Sequence, residues 1–333
     1  MSGQRITLQE IAQATGFSAN TVSRALRNSE KISEATRKLI QKKAEEMKYV
    51  PNLAATSLRL GHSRVLALVA ESLTNPFFGM IFDYVDCAAK MLDYDVIFFC
   101  SHGTENGEIR ALQNARQHGC DGVILITCAS SAAPLEYLRS NQMPFVLLMR
   151  EIPMQDADCV LCNEEEGGRE AANYLMKKGY MHLLYADAFE PHYSICKRVQ
   201  GFLEETRKKP EVSINVLQSE TNDTLQANRK AAHRIVKLFE MGAKVGIAAF
   251  CDMKAHGLLA EIYKLKPEIL GKIGIIGFDN IDAITPASIP LSSVSADYAA
   301  MCDSAVRLLY QRLQGDGLPC QQLEYPMFVS VRQ

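Results

Sequence analysis

Residues 7–27, TLQEIAQATGFSANTVSRALR, decide the fold of the N-terminal part of the chain. Thr7 followed three residues later by Glu10 is the pattern of a capping box, which predicts the start of a helix. Gly16 interrupts that helix, and Ser18 can cap a second one. The stretch therefore predicts two short helices joined by a tight turn.

The second helix is predicted to have one apolar face and one polar, basic face. The inward positions are Val22, Ala25 and Leu26, and the outward positions are Ala19, Asn20, Thr21, Ser23 and Arg24. A helix whose outer side chains are short, polar and basic fits the major groove of DNA. The alternative is a helical hairpin that merely packs within the protein.

Charge is distributed unevenly along the 333 residues. The net charge is −2, but residues 1–64 contain 11 basic and 5 acidic side chains, so the rest of the chain is clearly acidic. A basic head gains free energy from counterion release on a phosphate backbone, whereas an acidic body is repelled by it. The head is therefore the predicted nucleic-acid contact.

Two further segments complete the N-terminal region. After the loop that Asn28 opens, Ser33 can begin a third helix, which ends before Pro51 because the residue preceding a proline avoids helical geometry. Residues 1–50 thus form a predicted three-helix head. In residues 51–63, Asn52 can cap a helix of about two turns, which is too short to persist alone in water and needs a partner to order it.

From Val65 onward, apolar runs alternate with amphipathic segments. Runs such as VLALVA and VGIAAF are apolar throughout, which is typical of strands buried on both faces, and the intervening helices imply parallel crossover units. The economical interpretation of residues 64–333 is an α/β domain with two doubly wound parallel sheets.

Polar and aromatic side chains follow several of these strands. Ligands in open parallel sheets bind beyond the carboxyl ends of strands, so these residues are candidates for one pocket. They are Ser72, Asn75, Phe77 and Phe78 in the first half, and His192, Ser194, Arg198, Cys251, Asp252 and Asp279 in the second. Hydroxyls, amides, carboxylates and aromatic rings together suit a small polar metabolite such as a sugar or nucleobase.

Catalytic and metal-binding motifs are missing from the sequence. The glycines of GKIGIIGF have the wrong spacing for a dinucleotide fingerprint, and there is no P-loop or G-x-S-x-G motif. Cys159 and Cys162 have a C-x-x-C spacing but lie in a strand-like run without a second pair, so we interpret them as strand packing. We expect no enzyme activity, metal or cofactor.

The sequence also predicts the cellular compartment of the protein. Residues 1–10 have no apolar core of a signal peptide, and no apolar run approaches the ~20 residues that span a bilayer. The ten cysteines lie mostly in apolar surroundings, as free thiols do in a reducing compartment. A cytoplasmic protein without a membrane partner is expected.

Nearly the whole chain resembles the lactose-repressor family of bacterial transcription regulators. TLQEIAQATGFSANTVSRAL, ISEATRKLIQKKAEEMKYVPN and LAATSLR resemble in order the helix-turn-helix, third helix and hinge helix of that family. TNPFF, DGVILI, EEGGREAANYLMKKGY, SICKRVQGF and IGIIGFDN then follow in the family's order. The resemblance implies a homodimeric repressor with a periplasmic-binding-protein-like sensor, which binds a pseudo-palindromic operator.

The resemblance also implies roles for individual residues. Ala19, Asn20 and Arg24 would contact bases, and Leu58 would insert into a minor-groove step. The full predicted set of DNA contacts is Thr7, Ser18, Ala19, Asn20, Thr21, Ser23, Arg24, Asn28, Asn52, Ala55 and Leu58. The predicted effector set is the pocket named above together with Cys162, and the resemblance matches six of its positions: Ser72, Phe77, Phe78, Ser194, Arg198 and Asp279. In that set Arg198 and Asp279 would be the most regular contacts to vicinal hydroxyls.

Lobe boundaries follow from the same resemblance. The first lobe would hold residues 64–161 and 292–321, the second 162–291 and 322–333, with strand exchange near Cys162 and Pro290. Met149, Cys251 and Ala296 stand where the family commonly has Asp, Asn and Gln, which puts an ordinary hexose effector in doubt.

Two other functions remain open from the sequence. The body alone would suit a solute-binding protein or a cytoplasmic small-molecule-binding protein without a regulatory role. The basic head favours the ligand-responsive regulator, whose effector would act through the order of the hinge helix.

Overall fold

The structure is a computed structural model that describes residues 6–49, 61–150, 152, 156–186, 193–218, 224–283, 289–315 and 317–332. It divides into two compact units, Met1–Ser63 and Arg64–Gln333. We call them the head and the body. None of the described helices is long and apolar enough to cross a membrane.

The described part of the head contains three helices: α1 (Leu8–Thr15), α2 (Ala19–Leu26) and α3 (Glu34–Glu46). The predicted capping box is confirmed, since the Thr7 amide donates to Glu10 Oε2 at 2.7 Å and the Glu10 amide donates to Thr7 Oγ1 at 3.3 Å. Gly16 ends α1 with a φ of 74°, a left-handed conformation that glycine adopts without strain. The helices pack around a small core of Ile11, Val22, Ala25, Ile40 and Ala44.

The first sheet of the body contains six parallel strands in the order β11-β5-β4-β3-β1-β2. These are β1 (Val65–Ala70), β2 (Asp95–Cys100), β3 (Gly122–Leu125), β4 (Phe145–Leu148), β5 (Cys159–Cys162) and β11 (Gln322–Tyr325). Its helices are α4 (Pro76–Lys90), α5 (Glu105–Gln117), α6 (Ala133–Ser140) and α11 (Tyr298–Leu313). The sheet and these helices form the first lobe.

The second sheet has the order β12-β10-β9-β8-β6-β7, and β12 is its one antiparallel strand. Its strands are β6 (His182–Ala186), β7 (Ser213–Leu217), β8 (Val245–Ala249), β9 (Gly274–Phe278), β10 (Ser292–Ser295) and β12 (Phe328–Ser330). Four helices accompany it: α7 (Glu164–Lys177), α8 (Tyr193–Arg207), α9 (Thr224–Glu240) and α10 (Asp252–Leu265). These elements form the second lobe, and the predicted class of two doubly wound sheets is confirmed.

The chain passes between the lobes three times. The first passage follows Cys162, close to where the sequence places it. The second follows Ser295 rather than Pro290, because β10 pairs with β9 and so belongs to the second sheet. The third lies between Tyr325 and Phe328, because β11 pairs with β5 of the first sheet. The predicted assignments of residues 292–295 and 322–325 are therefore exchanged.

Helices α7 and α8 lie against each other through their backbones. A Cβ atom on Gly201 would be 1.9 Å from the Glu165 carbonyl oxygen, and one on Gly168 would be 2.0 Å from the Arg198 carbonyl oxygen. No side chain fits at either position. Glycine at these two sites is therefore what allows the helices to approach so closely.

Asp252 joins the start of α10 to β10 and to the short helical turn after β9. Its carboxylate accepts from the Ser293 hydroxyl at 2.8 Å and from the Ile281 amide at 2.9 Å. Gly277 leaves room for this carboxylate, since a Cβ there would be 2.0 Å from Oδ1. The sequence predicts Asp252 as an effector contact, but in the structure both of its oxygens are hydrogen-bonded within the fold and the residue is fully buried.

Gly201→Ala is expected to push α7 and α8 apart, because the new methyl group overlaps a backbone carbonyl. We expect the free energy of unfolding to fall by about 1–3 kcal/mol or more. Urea denaturation of the purified variant measures this change.

Gly79→Ala is the matched control, since Gly79 lies in α4 and an added Cβ meets nothing within 4 Å. Alanine should there stabilise the helix by about 0.5–1 kcal/mol. Equal effects of the two substitutions would contradict the backbone contact.

Asp252 should make stability depend on pH. Burial raises the pKa of its carboxyl from 3.8 to about 7. The folded protein therefore retains a proton that the unfolded chain releases, and the free energy of unfolding should fall as pH rises from about 4 to 7. Asp252→Asn should show a shallower decrease in urea titrations over this range, and parallel profiles would contradict the assignment.

Candidate functional site

Helix α2 presents the polar face that the sequence predicts, with the exception of Ser23. Ser18 caps the helix by accepting from the Thr21 amide at 3.1 Å, and Ala19 and Thr21 are half-buried. Asn20 and Arg24 are exposed. Among the described residues, the Arg24 guanidinium has no hydrogen-bond or ion-pair partner, so all of its donors remain available to phosphate or base acceptors.

Ser23 is the exception on this face. Ser23 is only 5% exposed, because the arc of α2 that packs inward is wider than the apolar pattern implies and Arg27 folds back to donate to its carbonyl oxygen at 3.1 Å. The Asn28 side chain is exposed but accepts from Gln41 Nε2 at 2.7 Å, which ties the end of α2 to α3. Ser23 is therefore a packing residue rather than a surface contact.

Thr7 is exposed at the start of α1, where it also serves as the helix cap. The remaining predicted DNA contacts, Asn52, Ala55 and Leu58, lie outside the described residues. The same holds for His192 of the predicted pocket, while Ser194 falls within α8 but its side chain is not among those described.

Arg198 is the best-anchored side chain at the cleft edge of the second lobe. Its Nε donates to Glu164 Oε2 at 2.7 Å, its Nη1 donates to the Phe250 carbonyl oxygen, and its guanidinium carbon lies 4.0 Å from the centre of the Phe278 ring. Burial opposes the charge, but the Glu164 carboxylate outweighs it and raises the pKa of Arg198 above its ordinary value. Arg198 is therefore a permanent cation whose charge is balanced inside the protein.

Asp279 follows β9 directly and has an unusual backbone. Its φ is 98° and that of Asn280 is 60°, both in the left-handed region that non-glycine residues rarely adopt. The Asp279 amide donates to the Val294 carbonyl oxygen at 3.1 Å, and Asn280 Oδ1 accepts from Arg332 at 2.5 Å. Such strained residues persist where surrounding bonds hold them, and they concentrate at functional sites.

The Asp279 side chain is 8% exposed, and its carboxyl group has no hydrogen-bond partner among the described residues. Burial raises the pKa of this carboxyl well above its ordinary value, and the neighbouring Arg198 lowers it only in part. A buried polar group in this state is costly unless it finds a partner. The group is therefore prepared to meet a hydroxyl or amine of a ligand.

The first lobe contributes aromatic rings to the same region. Asn75 caps α4 by accepting from the Phe77 amide at 3.1 Å, which places Phe77 and Phe78 at the start of that helix. The Phe77 ring lies 5.3 Å from that of Tyr298 in an edge-to-face arrangement. The Ser72 hydroxyl lies before this helix and bonds to Thr74 at 2.9 Å.

Arg150 and Glu164 belong to the site but escape the sequence prediction. Arg150 follows β4, Glu164 follows β5, and Arg150 interacts electrostatically with Asp279 and Arg198 across the cleft. Extending the strand-end rule to PFVLLM and CVLC would have found both.

Two predicted pocket residues are cysteines, and both are buried. Cys162 Sγ lies 3.6 Å from Met301 Sδ, and Cys251 Sγ caps α10 by accepting from the Lys254 amide at 3.4 Å. Burial raises the pKa of each thiol, so both remain protonated and weakly nucleophilic. The described residues contain no cluster of His, Cys, Asp and Glu able to hold a metal ion.

Comparisons with known proteins agree with both halves of this description. Residues 7–52 match the family model described as "Bacterial regulatory proteins, lacI family". Residues 63–287 match "Periplasmic binding proteins and sugar binding domain of LacI family", which covers more than half of the chain.

Curated relatives and solved structures extend over almost the full length. The regulator DegA of Bacillus subtilis is 26% identical, over 98% of this chain and 97% of its own. The repressor PurR of Vibrio atlanticus is 25% identical, over 92% of each chain. The Lac repressor dimer bound to operator and an anti-inducer has the same fold, with a TM-score of 0.80 at 18% identity, covering 99% of this chain and 98% of that chain. The chain belongs to the LacI family of ligand-responsive, DNA-binding transcription regulators.

Proposed function

We propose that the protein is a homodimeric repressor of metabolic genes, acting in the cytoplasm. The observation that carries this proposal is the union, in one chain, of a basic helix-turn-helix head with a two-lobed body whose cleft contains unsatisfied polar groups. The head would bind a pseudo-palindromic operator. A small polar metabolite, sugar-like or related, would bind the cleft and change operator affinity.

The electrostatics of the head support the DNA contact. Arg24 is exposed and has no partner among the described residues, so its guanidinium is free to donate hydrogen bonds to a guanine edge or to pair with a phosphate. One α2 helix offers few base contacts. Two copies held at a fixed spacing would multiply them, and this spacing is the usual source of operator specificity in helix-turn-helix dimers.

The cleft supports control by a ligand. Arg198, Asp279 and Glu164 belong to the second lobe, whereas Phe77 and Arg150 belong to the first, so a molecule in contact with both sets would favour one lobe arrangement. Residues 51–63, the last of the head, connect its three helices to the body in sequence. A hinge helix in this segment that orders only on DNA would couple ligand occupancy to operator affinity.

The alternative is a small-molecule-binding protein with no regulatory role. The body alone fits that function equally well. The exposed basic face of α2 favours the regulator, because binding a small molecule in the body requires no such face on the head. Both signs of response, release or recruitment, suit this architecture.

Arg24→Ala should weaken binding to the selected operator by about 10- to 100-fold and relax its preference at one base position, as expected for the loss of a bidentate base contact. Fluorescence polarisation with operator fragments selected from a random library measures the affinity. Binding by the wild-type protein should fall steeply with salt concentration.

Lys38→Ala is the control, because it removes the same charge from an exposed position on α3. It should lower affinity slightly and equally for all sequences. Equal losses for the two variants without any change in base preference would contradict sequence reading by α2.

Leu58→Gly should reduce operator affinity at least about ten-fold and leave ligand-induced thermal stabilisation unchanged, because only the hinge contact with DNA is lost. Leu58→Met, which keeps an apolar side chain of similar volume, should retain most of the affinity. Unchanged operator affinity in Leu58→Gly would mean that the heads bind without the hinge.

A further inference from the structure

The Arg150 guanidinium is mostly buried, and its central carbon lies 6.0 Å from the centre of the Phe78 ring. Its side chain is 17% exposed, and within the described chain its one hydrogen bond runs from Nη1 to the Thr127 carbonyl oxygen at 3.3 Å. The nearest carboxylate oxygen, on Glu71, is 3.8 Å from Nη2, beyond hydrogen-bond distance. Burial accordingly lowers the pKa of Arg150. Most of its five N–H donors are free for a ligand.

Arg198 offers a direct contrast. Its Nε and Nη1 already donate to Glu164 and to Phe250, and the Phe278 ring covers one face. The carboxylate of Glu164 balances its charge at 2.7 Å. Arg198 can still orient a ligand, but Arg150 is the more weakly paired of the two cations, since its Glu71 partner is 3.8 Å away and 45% exposed.

Asp279 lies on the opposite side of the cleft from Arg150. The two groups interact electrostatically, yet no ion pair joins them. A ligand between them would meet a strong donor at the first lobe and a carboxyl group at the second. The two ends of the ligand should therefore differ chemically, with acceptor atoms toward Arg150 and a hydroxyl toward Asp279.

The surfaces near these two groups are largely apolar. Cys162, Cys251 and Tyr298 all interact electrostatically with Asp279 and are less than a tenth exposed, and the Phe77 ring packs against Tyr298. Protonated thiols behave as small hydrophobic groups and offer weak hydrogen bonds. They cannot compensate the charge of Arg150.

We propose that the effector is a small hydroxylated organic anion, whose carboxylate or phosphate pairs with Arg150 while a hydroxyl donates to Asp279. This inference rests on the proposed function, since it names the ligand class of the same cleft. A neutral sugar would leave the guanidinium with only the half-exposed Glu71 carboxylate, 3.8 Å away, as its counterion. A carboxylate or phosphate matches the planar fork of arginine and can accept two parallel hydrogen bonds.

The test is a ligand screen on the full-length protein by thermal shift, followed by calorimetry. Each probe is a set of three of equal carbon number: the aldose, its aldonic acid and its phosphate ester. We expect at least one anion to raise the melting temperature, with a dissociation constant at least about ten-fold below that of the matching neutral aldose. The acid and phosphate arms identify which anionic group is bound.

Arg150→Met should abolish this preference and weaken anion binding at least about ten-fold. Because it removes a buried, poorly partnered charge, the unliganded variant should melt no lower than the wild type, an outcome that a merely structural role of Arg150 would reverse. Arg150→Lys should recover part of the affinity. Arg110→Met, which removes an exposed charge on α5, should bind anions as the wild type does.

A screen in which neutral aldoses bind as tightly as their acids, or in which no anion binds, overturns the proposal. Operator binding is measured on the same preparation. If it is retained while the anions fail, the regulator function stands and only the ligand class is wrong.

Discussion

The close approach of α7 and α8 is the constraint on which the ligand site depends. Gly168 and Gly201 let the two backbones touch, and only at that distance can Glu164 on one helix reach Arg198 on the other at 2.7 Å. The same contact sets the guanidinium over Phe278. Removing either member of this buried pair would leave an uncompensated charge, so the pair stabilises the lobe only as a unit.

The loop after β9 is held by a second set of contacts. Asp252 and Ser293 anchor the backbone around Asn280, and Arg332 reaches it from the end of the described chain. These bonds maintain the left-handed conformation of Asp279, which aims an unsatisfied carboxyl group into the cleft. A rigid support for a strained, poorly solvated group is typical of preorganised binding sites.

Local signals in the sequence predicted much of the fold. The capping box at Thr7 and the apolar runs of the central strands depend on neighbouring residues, and the structure confirms them. The environments of three residues depend on tertiary packing and could not be predicted from their neighbours in sequence. Ser23 is buried because α2 packs over a wider arc than its apolar pattern indicates, and Asp252 bonds to Ser293, 41 residues away. Arg150 interacts with groups of the other lobe. The polar sequence of β10, SSVS, does not indicate which of the two sheets this strand joins.

The final strands also affect how the body can fold. β11 completes the first sheet and β12 the second, and Asn163 bonds to Glu324, 161 residues away along the chain. During synthesis, neither lobe can add the last strand of its sheet until β11 and β12 have left the ribosome. In the first sheet the edge of β5 would therefore stay unpaired, and exposed to chaperones or to other nascent chains, until β11 is translated, and pairing over such a long separation is slow.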